Sequence, residues 1–181
     1  EMFSPNMDPL RPVLRDNFWL STHVLTVIAS YSIFSLSWLK ANYLLIKKVT
    51  PELALDTKKE MLNLVRWGCI FLSLGIFLGA IWADYSWGRF WAWDPKETWS
   101  LIALLLYIAI LHINMDLEKL LYSVAIAFIG IIMAWFGVNY LIASGLHSYG
   151  FQENGSTFTV LIILLQILIL LYLKVGTKNE Q

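Results

Sequence analysis

The sequence predicts an all-α, polytopic transmembrane bundle of about five spans, with a tryptophan-rich loop on its outer side, as a single membrane domain over residues 1–181. Three observations lead there. Of the 181 residues, 58% are apolar and only 14% charged, too little polar surface to coat a soluble globule. Five apolar stretches approach the ~20 residues that cross a bilayer as helix. Basic residues gather on alternate connections, as the positive-inside rule requires of a multi-pass chain.

The apolar stretches cover about 18–46, 61–83, 99–114, 120–146 and 158–173. The third and fifth, at about 16 residues or roughly 24 Å of helix, need flanking residues to reach across a ~30 Å hydrocarbon core. Lys40, Lys47, Lys48, Lys58, Lys59, Arg66, Lys119, Lys174 and Lys178 fall at one set of span ends. The opposite ends carry only Arg11, Arg15, Arg89 and Lys96. The second face is therefore expected outside, with loops 84–98 and 144–157 exposed there and the C-terminus in the cytoplasm. Gly130, Ala134 and Gly137 in the fourth span, at three- and four-residue spacing, are expected to admit a close helix neighbour.

Net charge is zero, so nothing points to nucleic acid. Cys69 is the one cysteine, which excludes a disulfide framework, a CxxC redox pair and a CxxCH haem-attachment site. The chain is not itself a c-type cytochrome. It begins at Glu1 with no signal-peptide pattern, and it is expected to be the C-terminal portion of a longer protein.

Five of the nine tryptophans, Trp82, Trp87, Trp91, Trp93 and Trp99, lie within 18 residues. An interfacial aromatic belt scatters such residues over all helix ends; here one connection takes most of them. A flat porphyrin needs an aromatic platform and donors for its propionates, and indole offers a π-face with one N–H. Trp87, Trp91, Trp93 and Trp99 are the candidates for the platform, and Arg89 or Lys96 for the propionates. Asp94, Pro95 and Glu97 stand at N-cap, N1 and N3 of a helix start, a capping box rather than a catalytic carboxylate pair. No catalytic residue is assigned.

There are three histidines. His23 lies near the outer end of the first span and His147 in the last outer loop, on the side of the tryptophans. That is the arrangement for two axial imidazoles on one haem iron. His112 follows Trp99 by 13 residues, about 20 Å along a helix, and is out of reach of that site. As an ionisable residue in a span it is a candidate ligand of its own.

The run from Gly79 through Trp82-Ala-Asp84-Tyr85-Ser-Trp87-Gly88-Arg89-Phe90-Trp91-Ala-Trp93-Asp94-Pro95-Lys96-Glu97-Thr-Trp99 resembles the WWD motif of the CcsA family of cytochrome c biogenesis proteins, the haem-handling half of the system II cytochrome c synthase. Asn17-Phe18-Trp19-Leu20 before His23, and Gly137-Val138-Asn139-Tyr140 before Gly145-Leu146-His147-Ser148-Tyr149-Gly150, resemble its two histidine segments. The resemblance runs from about residue 14 to 174. Tryptophan loops also occur in the system I proteins CcmC and CcmF, but the wording from Trp93 to Trp99 is closer to CcsA.

The resemblance implies non-covalently bound haem b, carried past a transmembrane site at His112 and held outside by His23 and His147. There the thiols of an apocytochrome c CxxCH segment add to the haem vinyl groups. It implies a CcsB/ResB-like partner protein or fused domain, which would supply the second transmembrane histidine. The location implied is the bacterial inner membrane, with the WWD loop periplasmic, or the thylakoid membrane for a plastid protein. A transmembrane b-haem redox subunit is the alternative function, and a membrane protein without haem, its tryptophans merely interfacial, a third.

Overall fold

The computed structural model describes the backbone of residues 17–48, 50–142, 147 and 155–178, and the side chains of 18–48, 50–142, 147 and 155–174. The N-terminal segment through residue 16 and, His147 apart, the connection 143–154 lie outside the described residues. The described chain is helical: α1 (Asn17–Lys47), α2 (Pro51–Trp87), α3 (Pro95–His112), α4 (Leu117–Ile132) with a π-helical continuation (Met133–Ile142), and α5 (Gly155–Lys178).

Local chemistry sets the helix ends. Thr50 is extended before Pro51 at the first turn of α2, where a missing N–H costs nothing. At the other end Gly88 takes φ +66°, and its N–H donates to the Asp84 carbonyl at 2.8 Å. This left-handed cap favours a residue without a Cβ. Asp94 caps α3, with its carboxylate accepting from the Lys96 N–H at 3.1 Å and Glu97 Oε2 accepting from the Asp94 N–H at 3.1 Å. The capping box expected from the sequence is present. Asp116 caps α4, accepting from the Lys119 N–H at 2.8 Å.

α1 and α2 run antiparallel along their lengths. Lys40 pairs with Glu60 at one end, the Ser30 hydroxyl donates to the Gly68 carbonyl at 3.0 Å midway, and His23 meets the Gly75 carbonyl near the other end. Gly68 allows this approach, because a Cβ there would lie 2.5 Å from the Phe34 ring. Phe34 in turn stacks on Tyr107 of α3 at 3.9 Å, and Trp38 on Phe128 of α4 at 4.8 Å. These rings form the centre of the buried core. Of the small residues in the fourth span, Gly130 fits the close-packing expectation, since a Cβ there would lie 3.2 Å from Ala103 of α3. Gly137 instead faces Met133 of its own helix. Gln166, buried on α5, accepts from Trp38 Nε1 at 2.7 Å and donates to Asn42 Oδ1 at 3.2 Å.

Four helical segments, 18–47, 51–87, 117–142 and 155–174, are long and apolar enough to cross a membrane. α3 has 18 residues and opens with Lys96 and Glu97, so its apolar part is shorter; it packs between α2 and α4. The chain is an all-α, polytopic helical membrane protein, and the turn from α2 into α3 holds the tryptophan run at one end of the bundle.

Candidate functional site

Helical spacing directs three sets of side chains into one cavity at the tryptophan-rich end. On α1 these are His23, Val27 and Tyr31; on α2, Leu72, Ile76, Gly79 and Ala80; on α3, Lys96, Glu97 and Ser100. Within each set the residues recur at three- or four-residue steps, apart from adjacent pairs, and therefore share a helix face. Trp91 and His147 complete the lining. The cavity is open on one side and has a volume of about 80 Å³.

Both histidines are fixed through the same ring nitrogen. His23 Nδ1 lies 2.7 Å from the Gly75 carbonyl oxygen, which can only accept, so Nδ1 carries the proton and donates. In the neutral ring Nε2 then keeps its lone pair. Gly79 makes room for this ring, since a Cβ there would lie 2.5 Å from His23 Cε1. His147 Nδ1 lies 2.9 Å from Asp94 Oδ2; the carboxylate is buried at 2% exposure and the imidazole partly buried at 14%. The carboxylate accepts the Nδ1–H, again leaving Nε2 as the free donor atom. The His147 ring also stands edge-on to Trp87 at 4.9 Å and near Trp82 at 6.2 Å.

Lys96 lines the cavity while its ammonium reaches Asn139 Oδ1 on the π-helical segment at 3.3 Å. Burial holds that ammonium below the usual lysine range, and the Asp94 charge pulls it partly back. Glu97 Oε2 accepts from the Ala92 and Asp94 N–H groups at 2.9 and 3.1 Å. Glu97 thus clamps the strand of loop that ends in Trp93, a residue held at φ +55°.

The residues singled out in the sequence fall into different positions. His23, His147 and Trp91 share the cavity, and Trp87 packs on His147. Trp93 is 69% exposed and meets Trp91 edge-on at 5.7 Å. Trp99 packs against the buried core rather than lining the cavity. Arg89 is exposed and outside the lining, so Lys96 is the cation facing the cavity. His112 ends α3 at the opposite end of the bundle, with Nδ1 2.8 Å from the Ile108 carbonyl oxygen. It borders a separate cavity of about 280 Å³ with Lys58, Asn114 and Met115.

Local sequence reads Asp94 as a cap alone; its grip on His147 spans 53 residues and leaves no local trace. Tyr31 and Val27 were missed as lining residues, although their four- and eight-residue spacing from His23 was the available signal.

A sequence model of the family described as "Cytochrome C assembly protein" matches residues 3–147. Protein NrfI of Wolinella succinogenes is 42% identical over 158 residues, covering 80% of this chain and 17% of that protein. Cytochrome c biogenesis protein CcsA of Chlamydomonas reinhardtii is 40% identical over 159 residues, covering 79% of this chain and 43% of that protein. The CcsA protein of Guillardia theta is 35% identical over 173 residues, covering 78% and 57%. The chain thus spans less than two thirds of the length of these relatives. With a family match over most of its length and this identity across four fifths of it, the chain belongs to the cytochrome c assembly family, as a protein of the CcsA type.

Proposed function

We propose that this chain holds haem b non-covalently at its tryptophan-rich end, with His23 and His147 as axial ligands, and presents it for attachment to the CxxCH segment of an apocytochrome c. The observation that carries this reading is the shared pattern at the two histidines: Nδ1 of each is taken up by a protein oxygen, so Nε2 is the nitrogen left to ligate in the neutral ring, and both line one cavity. Among the described residues no group of three or more His, Cys, Asp or Glu side chains could hold a bare ion. Two imidazoles do suit an iron that already carries four ring nitrogens.

Trp91 and Trp87 offer aromatic surface beside the imidazoles, and Lys96 a cation for a propionate. At about 80 Å³ the cavity is smaller than the ~300 Å³ at which cofactor sites begin, and it is open on one side, so a porphyrin would extend out of it. Bound haem supplies the vinyl carbons to which cysteine thiols add. The protein's contribution is orientation: the two imidazoles would hold the ring, and the exposed Phe90 and Trp93 make this end accessible to a substrate. A CcsB/ResB-like partner or fused domain completes the synthase. His112 serves a second, transmembrane haem position, and the tryptophan loop faces the outer or periplasmic side, or the thylakoid equivalent.

The test is to purify the chain with its partner half in detergent and record reduced-state spectra of the wild type, His23→Ala and His147→Ala. Wild type is expected to carry haem, and either substitution to lower its occupancy severalfold. A wild type that takes up no supplied haem contradicts the reading. Co-expression with a CxxCH reporter then separates attachment from electron transfer, because a haem-loaded protein that never yields covalently attached haem favours a b-haem redox subunit.

A further inference from the structure

The two imidazoles are held by oxygens of different chemistry. His23 donates to a backbone carbonyl inside α2, a neutral dipole, at 2.7 Å. His147 donates to a buried carboxylate at 2.9 Å. That carboxylate is itself fixed, because the same Oδ2 accepts the Lys96 N–H at 3.1 Å as the cap of α3. Trp87 and Trp82 pack on the His147 ring and limit its rotation.

An ionised acceptor on Nδ1 draws the proton toward itself and makes the opposite nitrogen a stronger donor, and burial strengthens the effect by lowering the local dielectric. A carbonyl orients the ring but transfers much less charge. The two ligand positions are therefore unequal in donor strength even though both rings have the same tautomer.

We infer that Asp94 is a positioning residue that makes His147 the fixed, strongly donating axial ligand and leaves His23 the exchangeable one. This rests on the proposed haem site and adds to it an order between the two ligands: an incoming nitrogen donor enters on the His23 face. It also gives Asp94 two tasks in one carboxylate, starting α3 and setting the electronic character of the imidazole across from it.

Asp94→Asn separates the tasks. Asparagine caps a helix about as well as aspartate, and its carbonyl oxygen can still accept from Nδ1 and from the Lys96 N–H, so the charge is removed while these two contacts are kept. The full chain with its partner half, carrying His112→Ala so that one haem position remains, is loaded with haem and titrated for its midpoint potential. The expected result is haem still bound, with ferric over ferrous preference reduced on the order of tenfold, because loss of the anionic acceptor weakens the ligand more toward the more highly charged iron. For a one-electron couple that is an upward shift of about 59 mV. A purely structural role for Asp94 leaves the potential of the bound fraction unmoved.

A second arm needs no substitution at Asp94. In the same background, free imidazole is expected to restore six-coordinate haem to His23→Ala at concentrations at least tenfold lower than to His147→Ala. An unchanged potential in Asp94→Asn, or equal rescue of the two histidine variants, overturns the inference while leaving the haem site standing. Failure of the unsubstituted histidine pair to bind haem overturns the site itself.

Discussion

At the scale of single residues, the cavity depends on what is absent as much as on what is present. Gly79 has no side chain where His23 needs room, and the ring fills the space so closely that a Cβ would lie 2.5 Å from Cε1 and 2.7 Å from Nδ1. Gly79→Ala is therefore expected to push the ring off the Gly75 carbonyl and to lower haem occupancy to the level of His23→Ala. The fold should survive, at an overpacking cost of about 1–3 kcal/mol. Haem content per folded protein checks this, and wild-type occupancy in Gly79→Ala would contradict it. The histidines were legible in the sequence because the residue type is rare and two of the three fall beside the tryptophans. The oxygens that hold their Nδ1 atoms were not, since Gly75 and Asp94 lie 52 and 53 residues away along the chain. No local pattern encodes such a pairing, and Asp94 already had a sufficient local explanation as a cap.

At the scale of helices, hydropathy located the spans and one cap, at Asp94, was legible in the sequence. Pro51, Gly88, Asp94 and Asp116 mark ends by backbone chemistry that each residue type brings with it. Hydropathy marked only the long apolar part of each helix: α2 starts at Pro51, ten residues before its apolar stretch, because the charges of Glu52, Asp56, Lys58, Lys59 and Glu60 interrupt the apolar signal while Leu, Ala, Glu and Lys still favour helix. The π-helical run 133–142 was likewise invisible, since its composition is that of any apolar helix and only its hydrogen-bond register differs. α5 is mostly exposed along its length, and the buried Gln166 ties it to α1 through Trp38 and Asn42. Gln166→Leu leaves the Trp38 indole N–H without that acceptor. Polar links of this kind in membrane bundles contribute about 0.6–1.7 kcal/mol, so a loss of about 1 kcal/mol is expected in unfolding from mixed micelles. No change in stability would show that lipid or packing alone holds α5.

At the scale of the whole molecule, the bundle separates two chemistries. The tryptophan-rich end holds His23, His147 and Lys96 around one cavity, and the end rich in Lys40, Lys58, Lys59 and Arg66 holds His112 at another. Charge asymmetry predicts that the basic end faces the cytoplasm. Cysteines introduced at the exposed positions Arg89 and Lys59 test it, since native Cys69 is only 7% exposed. A membrane-impermeant maleimide added to spheroplasts should label position 89 and spare position 59, and the reverse pattern would contradict the orientation. The fold class and the clustering of the site at one end were legible in the sequence, because span length, basic-residue asymmetry and rare residue types all act along the chain. Which tryptophans face the cavity was not, because Trp91 and Trp99 differ only in the turn that separates loop from helix. The most direct test of the two-histidine site is the electron paramagnetic resonance spectrum of the ferric haem-loaded chain with its partner half, carrying His112→Ala. A low-spin bis-imidazole signal that disappears in both His23→Ala and His147→Ala is the predicted result; the same signal persisting in either variant would contradict it.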